Sequence, residues 1–327
     1  MEGGQTVRFT SVALVQGATH LTPKPGDSGD QQRDTVLATL EPFRVIARDH
    51  HDAPVAGVTV KWSAYADGSL DIRTSVTDDD GVAETRYRLP TQAGTLRVQA
   101  SVEGLIGSPI AFEAHAEPAT PTNLVIVSGD EQVALPSSSL APYAVRAIDA
   151  YGNAVEGVVI DWEITEGGGS IDPARSTTST PDAATQRPLA MTTHTLSPIE
   201  GSHVVTATAT SVPGTPRATF RSRAVSGIVW VYTYYYYGWN NAYSGFEPDE
   251  IVVPAGGTVA WLWGPCDWGC DDHDVTFEDD PTEPASSPTQ REGTHFRTFD
   301  QPGVFPYHCS VHSGEGGMVE VVAGGAG

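Results

Sequence analysis

Two segments of the chain share one pattern of alternating apolar and polar residues. The first is "VIARDHHDAPVAGVTVKW" (45–62), and the second is "VRAIDAYGNAVEGVVIDW" (145–162), at an offset of 100 residues. Each has an alternating stretch, a turn rich in Asp, Asn, Pro or Gly, and a second alternating stretch that ends in Trp. Alternation with a period of two is typical of a strand that buries one face. Each segment therefore predicts a strand, a turn and a strand.

One more alternating stretch closes each copy of this repeat, namely "GTLRVQASVEG" (94–104) and "GSHVVTATATS" (201–211). Many short strands repeated at intervals of about 100 residues are typical of immunoglobulin-like β-sandwiches. We therefore predict two such sandwiches in tandem, in domains 1–118 and 119–225.

The repeat resembles the bacterial immunoglobulin-like domains of invasin- and intimin-type cell-surface proteins. The resemblance depends on "D..(G)N.V.GV.V.W" in both copies and on "TDDDGVAETRYRL" (77–89) in the first. It covers roughly residues 7–225 and implies a spacer or adhesion role. The acidic groups "DHHD" (49–52) and "TDDD" (77–80) lie on predicted turns, where Asp stabilises the turn itself, so we interpret them as turn residues rather than metal ligands.

A different pattern follows the second sandwich. "FEPDEIVVPAGGTVAWLW" (246–263) predicts two strands around a Gly-Gly turn, and "GTHFRTFDQPGVFPYHC" (293–309) predicts two around a Pro-Gly turn. Shorter strands are predicted in "CDDHDVTFED" (270–279) and "MVEVVA" (318–323). Several short strands of this kind make a small Greek-key sandwich or barrel, here domain 226–327. The predicted fold class is all-β.

Charge and hydropathy narrow the range of partners. Lys and Arg number 18 and Asp and Glu number 41, which gives a net charge of −23. Nucleic acid and anionic membrane surfaces are therefore poor partners, and a basic protein is favoured. The chain has no apolar run long enough to span a bilayer. It begins "MEGGQTV" without a secretion leader, so we expect any export signal to lie outside the given sequence.

Candidate metal chemistry is concentrated in "YHCSVHSGEGGM" (307–318), just before the last predicted strand. One thiolate and two imidazoles form a trigonal copper site, and a distant thioether completes it on the axis. Cys309, His312 and Met318 lie on one predicted loop, so another strand has to supply the remaining imidazole. His273 in "HDVTF" is the predicted donor. The sequence thus predicts one type 1 copper ion bound by His273, Cys309, His312 and Met318.

At these residues the third domain resembles the cupredoxins, especially plastocyanin and halocyanin. The matching pattern is "F.P..I.VP.G.TV.W", a lone "H.V.F", and "F..PG.F.Y.C..H.....M", over roughly residues 226–324. The resemblance implies a Greek-key copper domain and gives the same four residues the role of copper ligands. The spacer "SGEGG" (313–317) has one residue more than the plastocyanin pattern, and its glycines can absorb the extra residue.

The other two cysteines form "CDWGC" (266–270), close to His273. In an oxidising, exported setting we predict a disulfide between Cys266 and Cys270, which would stiffen the loop that presents His273. Three alternatives stay open. The C-x3-C spacing also occurs in dinuclear copper centres, zinc can occupy the same ligands, and a His beside the thiolate ligand, here His308, carries a second copper in multicopper oxidases.

Together these observations predict an extracytoplasmic electron-transfer protein that is not an enzyme, with immunoglobulin-like spacers carrying one copper domain. Its predicted redox partner is a basic cytochrome or a membrane oxidoreductase. The alternative is a cell-surface structural or adhesive protein in which the copper domain stabilises the chain or has another use. The aromatic run "VWVYTYYYYGWNNAY" (229–243) predicts either an internal packing surface or a site of self-association through residues 230–243.

Overall fold

The computed structural model describes residues 17–65, 67–181, 187–232, 245–264, 271–277 and 286–323. All regular secondary structure in these residues is β, in strands numbered β1 to β28. The predicted all-β fold class is confirmed. Within the described ranges, no helix is long and apolar enough to cross a membrane.

By compactness the chain divides into two units. The first is Met1–Pro121 with Ile148–Val155, and the second is Thr122–Ala147 with Glu156–Gly327.

The first immunoglobulin-like sandwich has ten short strands. They are β1 (His20–Pro23), β2 (Gln32–Thr35), β3 (Phe43–Arg48), β4 (Thr59–Ala64), β5 (Ser69–Leu70), β6 (Thr74–Val76), β7 (Val82–Thr85), β8 (Tyr87–Arg88), β9 (Gly94–Ser101) and β10 (Ile110–Glu117). The sheets have the orders β1-β3-β7, β2-β10-β9-β4-β6 and β5-β8. Alternate residues such as Val45, Val60, Val98 and Phe112 are buried in one core between the two larger sheets.

In the second sandwich, too, ten strands are formed by the residues that the structure describes. They are β11 (Asn123–Ser128), β12 (Gln132–Ala134), β13 (Tyr143–Ile148), β14 (Val159–Glu166), β15 (Ser170–Asp172), β16 (Arg175–Thr177), β17 (Thr180–Pro181), β18 (Pro188–Thr195), β19 (Gly201–Thr208) and β20 (Arg217–Ala224). The sheets have the orders β11-β13-β18-β15, with β17 also paired to β18, and β12-β20-β19-β14-β16. The predicted repeat is therefore confirmed as a repeat of strands, since β3 and β4 correspond to β13 and β14.

The repeat extends to individual hydrogen bonds. The indole N–H of Trp62 donates to Ser75 Oγ over 2.8 Å, and that of Trp162 donates to Ser176 Oγ over the same distance. In the turn before β4, Asp49 Oδ1 accepts the backbone N–H groups of two following residues, which closes the turn. The carboxyl group of this aspartate is thus occupied by its own turn, as the sequence interpretation requires.

The described residues of the third sandwich form eight strands. They are β21 (Gly227–Tyr232), β22 (Gly245–Glu247), β23 (Glu250–Pro254), β24 (Gly257–Trp263), β25 (Thr276–Phe277), β26 (Gly293–Phe299), β27 (Gly303–His308) and β28 (Gly316–Val322). Two four-stranded sheets have the orders β22-β21-β24-β26 and β23-β28-β27-β25. Both contribute to one core, in which Trp261 from the first sheet packs edge-on against Tyr307 from the second, with ring centroids 5.4 Å apart.

Strand β21 contains the start of the aromatic run. Val229 and Val231 are buried in the core, whereas Trp230 and Tyr232 are 47% and 41% exposed. The strand alternation expected of this stretch therefore holds for its described part. The rest of the run, residues 233–243, lies outside the described residues.

Candidate metal centre

Four potential metal donors converge at one end of the third sandwich. The ligand atoms of His273, Cys309, His312 and Glu315 all lie within 4.8 Å of one another. Cys309 Sγ is 3.6 Å from His312 Nδ1, and Glu315 Oε2 is 3.0 Å from His273 Nδ1. Three of the four predicted ligands are thus brought together, and Glu315, which the sequence did not indicate, joins them.

The loop that carries three of these donors connects β27 to β28. Pairing of Tyr307 with Gly317 and of His308 with Gly316 holds the two strand ends side by side. Across the loop, the backbone N–H of Cys309 donates to the Glu315 carbonyl over 3.1 Å. Within it, Gly314 has a φ of +90°, which favours glycine because it lacks a Cβ. These backbone contacts hold the two ends of the loop side by side.

His273 comes from a separate segment of the chain. Its backbone N–H donates to the Gln290 carbonyl over 3.1 Å, and its own carbonyl accepts the Gln290 N–H over 2.9 Å. The neighbouring Asp274 is buried and joins this segment to the loop, because its carboxylate accepts the backbone N–H of Ser310 over 2.7 Å and also the Ser310 hydroxyl. Asp274, which follows His273, is thus hydrogen-bonded to Ser310, which follows Cys309.

Hydrogen bonding keeps Asp274 ionised. Burial acts to raise the pKa of its carboxyl group, but the hydrogen bonds from Ser310, Thr276 and Thr289 outweigh it and lower the pKa. Sequence reasoning missed this role. The only signal was that an acidic residue follows one predicted ligand and a serine follows another.

Burial and pairing differ among the four donors. The side chain of His273 is 1% exposed, that of Glu315 is 11% and that of His312 is 22%, so His312 is nearest to solvent among these three. Cys309 is also buried. His273 Nδ1 and Glu315 Oε2 are close but not in hydrogen-bonding geometry, and neither has a hydrogen-bond partner among the described residues. Burial lowers the pKa of His273 even though the Glu315 carboxylate opposes it, so the neutral imidazole that binds metals is favoured.

This donor set fits a copper ion. A thiol and two imidazoles are the equatorial donors of type 1 copper sites, and a bound cation would also satisfy the two buried polar atoms, His273 Nδ1 and Glu315 Oε2. Among the described residues Cys309 is not part of a disulfide. Its sulfur is therefore available as a ligand.

Met318, the predicted axial ligand, lies inside strand β28 rather than at the end of a loop. It pairs with Pro306, while the next residue, Val319, pairs with Phe305. Directly opposed residues share a sheet face, and Val319 is fully buried in the core, so Met318 lies on the outer face of the sheet. The reason is that β28 begins at Gly316, two residues before the predicted start of the last strand.

The predicted disulfide between Cys266 and Cys270 lies outside the described residues, which resume at residue 271. It stays a prediction.

Comparison with known proteins assigns part of this architecture. Residues 38–113 match the family of bacterial Ig-like domains (group 1). Among solved structures, the chain is similar to FdeC, an adhesin of Escherichia coli, with 18% identity over 96% of this chain and 100% of that one and a TM-score of 0.45. It is also similar to the D0-D1 domain of intimin, with 16% identity over 59% of this chain and 94% of that one and a TM-score of 0.24. A purple cupredoxin from Nitrosopumilus maritimus is 20% identical over 29% of this chain and 99% of that one, with a TM-score of 0.23. The family match assigns the immunoglobulin-like fold to the first sandwich.

Proposed function

We propose that the third domain is a cupredoxin-like electron-transfer domain that binds one copper ion through His273, Cys309 and His312. The observation that carries this proposal is the convergence of one thiol and two imidazoles in a buried site that contains unpaired polar atoms. When bound, copper supplies a one-electron couple between Cu(I) and Cu(II). The four-residue pattern of the sequence and its resemblance to plastocyanin support the same assignment.

The protein's contribution is a site that is held in place. Asp274 connects the two ligand-bearing segments, and the strand pairing of β27 with β28 fixes the ends of the loop. Ligands fixed in this way move little when the charge of the site changes, which favours fast electron transfer. His312 is partly exposed, and its neighbour Val311 is 48% exposed, so this end of the domain is where an electron would pass to a partner.

The partner that suits this chain is a basic redox protein such as a cytochrome, or a membrane oxidoreductase. A net charge of −23 favours encounter with a positively charged surface. The match of residues 38–113 to bacterial Ig-like domains supports an extracytoplasmic setting, in which these domains act as spacers for the copper domain.

The test is redox titration of the copper-loaded full chain. We expect one copper per chain and a reversible one-electron transition, with His312→Gln losing copper or reversibility. Asp272→Asn is the control, since Asp272 precedes His273 but its side chain is partly exposed and paired with Arg291. Copper that binds but cannot be cycled between its two oxidation states would overturn the electron-transfer proposal.

That outcome would favour the second candidate, a cell-surface structural or adhesive protein in which the metal stabilises the third domain. The observation behind it is the family match of the first sandwich. The two candidates therefore differ in whether the copper centre is redox-active, not in whether it exists.

A further inference from the structure

We infer that the fourth donor of the metal centre is the carboxylate of Glu315 and not the thioether of Met318. This inference rests on the proposed copper function, because it names the ligand that completes the same site. It makes the centre a carboxylate-containing one, with two anionic donors instead of one.

The Glu315 carboxylate lies close to both histidines. Its Oε2 atom is 3.0 Å from His273 Nδ1 and 3.8 Å from His312 Nδ1. Nitrogen, oxygen and sulfur donors about 2.0–2.3 Å from one ion lie roughly 3.3–3.8 Å from each other in a tetrahedron. The carboxylate oxygen thus faces both imidazoles at separations close to those of donors that share one metal ion.

The Glu315 carboxylate is also buried beside two histidines. Only 11% of the Glu315 side chain is exposed, and Oε2 is buried without a hydrogen-bond partner among the described residues. A buried carboxylate is costly unless a positive charge or hydrogen-bond donors compensate it. No lysine or arginine is paired with it in the described part of the chain, where its ion-pair neighbours are the two histidines. A bound cation between these groups would supply the missing charge.

Met318 occupies a strand position on the other side of the sheet. The register of β28 puts it opposite Pro306 and Glu250, on the sheet face away from the core that contains Cys309. Its backbone N–H donates to the Asp249 carbonyl over 2.6 Å, which holds this part of the strand in its register.

A carboxylate in place of a thioether changes the net charge of the copper centre in both oxidation states. With a thiolate and a carboxylate, a Cu(II) centre is electrically neutral and a Cu(I) centre carries one net negative charge. A buried net charge is disfavoured, so the carboxylate favours Cu(II) over Cu(I) relative to a neutral thioether. The reduction potential of this centre should therefore be low for its class.

The test compares three variants of the copper-loaded full chain by redox titration and paramagnetic resonance. In Glu315→Gln we expect the ratio of Cu(I) to Cu(II) affinity to rise at least tenfold, which is about 59 mV for a one-electron couple. The resonance spectrum should change as well. The matched control is Glu320→Gln, which removes the same charge from an exposed position on the outer face of β28. We expect that variant and Met318→Leu to retain the wild-type potential and spectrum.

A wild-type potential and spectrum in Glu315→Gln, or a large shift in Met318→Leu, would overturn the inference while leaving the copper function intact. If Glu315→Gln does not fold, the crystal structure of the copper-loaded wild-type chain decides the matter, since the Glu315 carboxylate is either bonded to copper or not. Failure of the wild-type chain to bind copper through Cys309 would instead overturn the proposed function itself.

Discussion

Two pairs of histidines lie in different sandwiches of the second unit, and their hydrogen-bond partners differ. Three of these four histidines are buried, and His312 is partly exposed. In the second sandwich, His194 is fully buried, with one ring nitrogen 3.3 Å from the Tyr143 hydroxyl and the other 3.0 Å from the Gly168 carbonyl. His203 is 3.1 Å from the Ser197 hydroxyl and 3.1 Å from the Gly201 carbonyl. Each ring therefore has neutral hydrogen-bond partners on both sides.

In the third sandwich, a ring nitrogen of His273 has no such hydrogen-bond partner among the described residues. His273 Nδ1 faces a carboxylate without making a hydrogen bond, and the ring of His312 lies 4.4 Å from that of His273 between centroids. A thiol and a carboxylate complete the group. The difference teaches that burial alone does not mark a functional histidine. The proposed ligand His273 differs from His194 and His203 because it lies beside a thiol and a carboxylate and its Nδ1 has no hydrogen-bond partner among the described residues.

Copper loading should give the largest difference between the sandwiches that contain the two histidine pairs. Copper that binds only the folded third domain should stabilise it by about 4 kcal/mol when free copper is a thousand times the dissociation constant. Hydrogen exchange of the full chain, followed by mass spectrometry, should show slower exchange in β24, β27 and β28 and no change in β18 and β19. Equal protection of both regions, or of neither, would contradict the assignment of the metal to the third domain.

Acidification should give a smaller effect, which is followed in the second sandwich. Burial lowers the pKa of His194, with the nearby His203 adding to the effect and the Gly168 carbonyl opposing it. The folded pKa thus lies below the unfolded value of about 6.5. The unfolded chain therefore binds more protons as the pH falls through that value, and the free energy of unfolding, constant at higher pH, decreases.

The expected loss is about 1.4 kcal/mol for each unit by which the pKa is lowered. Hydrogen exchange in β18 and β19 between pH 7 and pH 5, corrected for intrinsic exchange rates, measures it. His194→Gln keeps a polar side chain that does not titrate, so its stability should fall less steeply over this range. An equally steep fall in that variant would remove His194 as the cause.

Much of the fold was predictable because its signals are local. The alternation in β3, β4, β13 and β14 depends only on residues close in sequence. The same pattern occurs twice at an offset of 100 residues, so each copy supports the prediction made from the other. The family match of residues 38–113 agrees with this interpretation. Local patterns were sufficient wherever one strand face is buried and the other is not.

The candidate metal centre was predictable only in part, because the positions of Glu315 and Met318 depend on strand register. His273, Cys309 and His312 were indicated by residue type and spacing, and the structure brings them together. The role of Glu315 depends on where β28 begins, and pairing of its first residues with the end of β27 decides that. Such long-range pairing leaves no pattern in the loop sequence itself.

The central claim is that Cys309 binds copper together with His273 and His312. Its most direct test is the visible absorption spectrum of the copper-loaded full chain beside that of Cys309→Ser. The account predicts an intense thiolate-to-copper charge-transfer band in the wild-type protein and its complete loss in the variant. A wild-type protein without the band, or a variant that retains it, would contradict the claim.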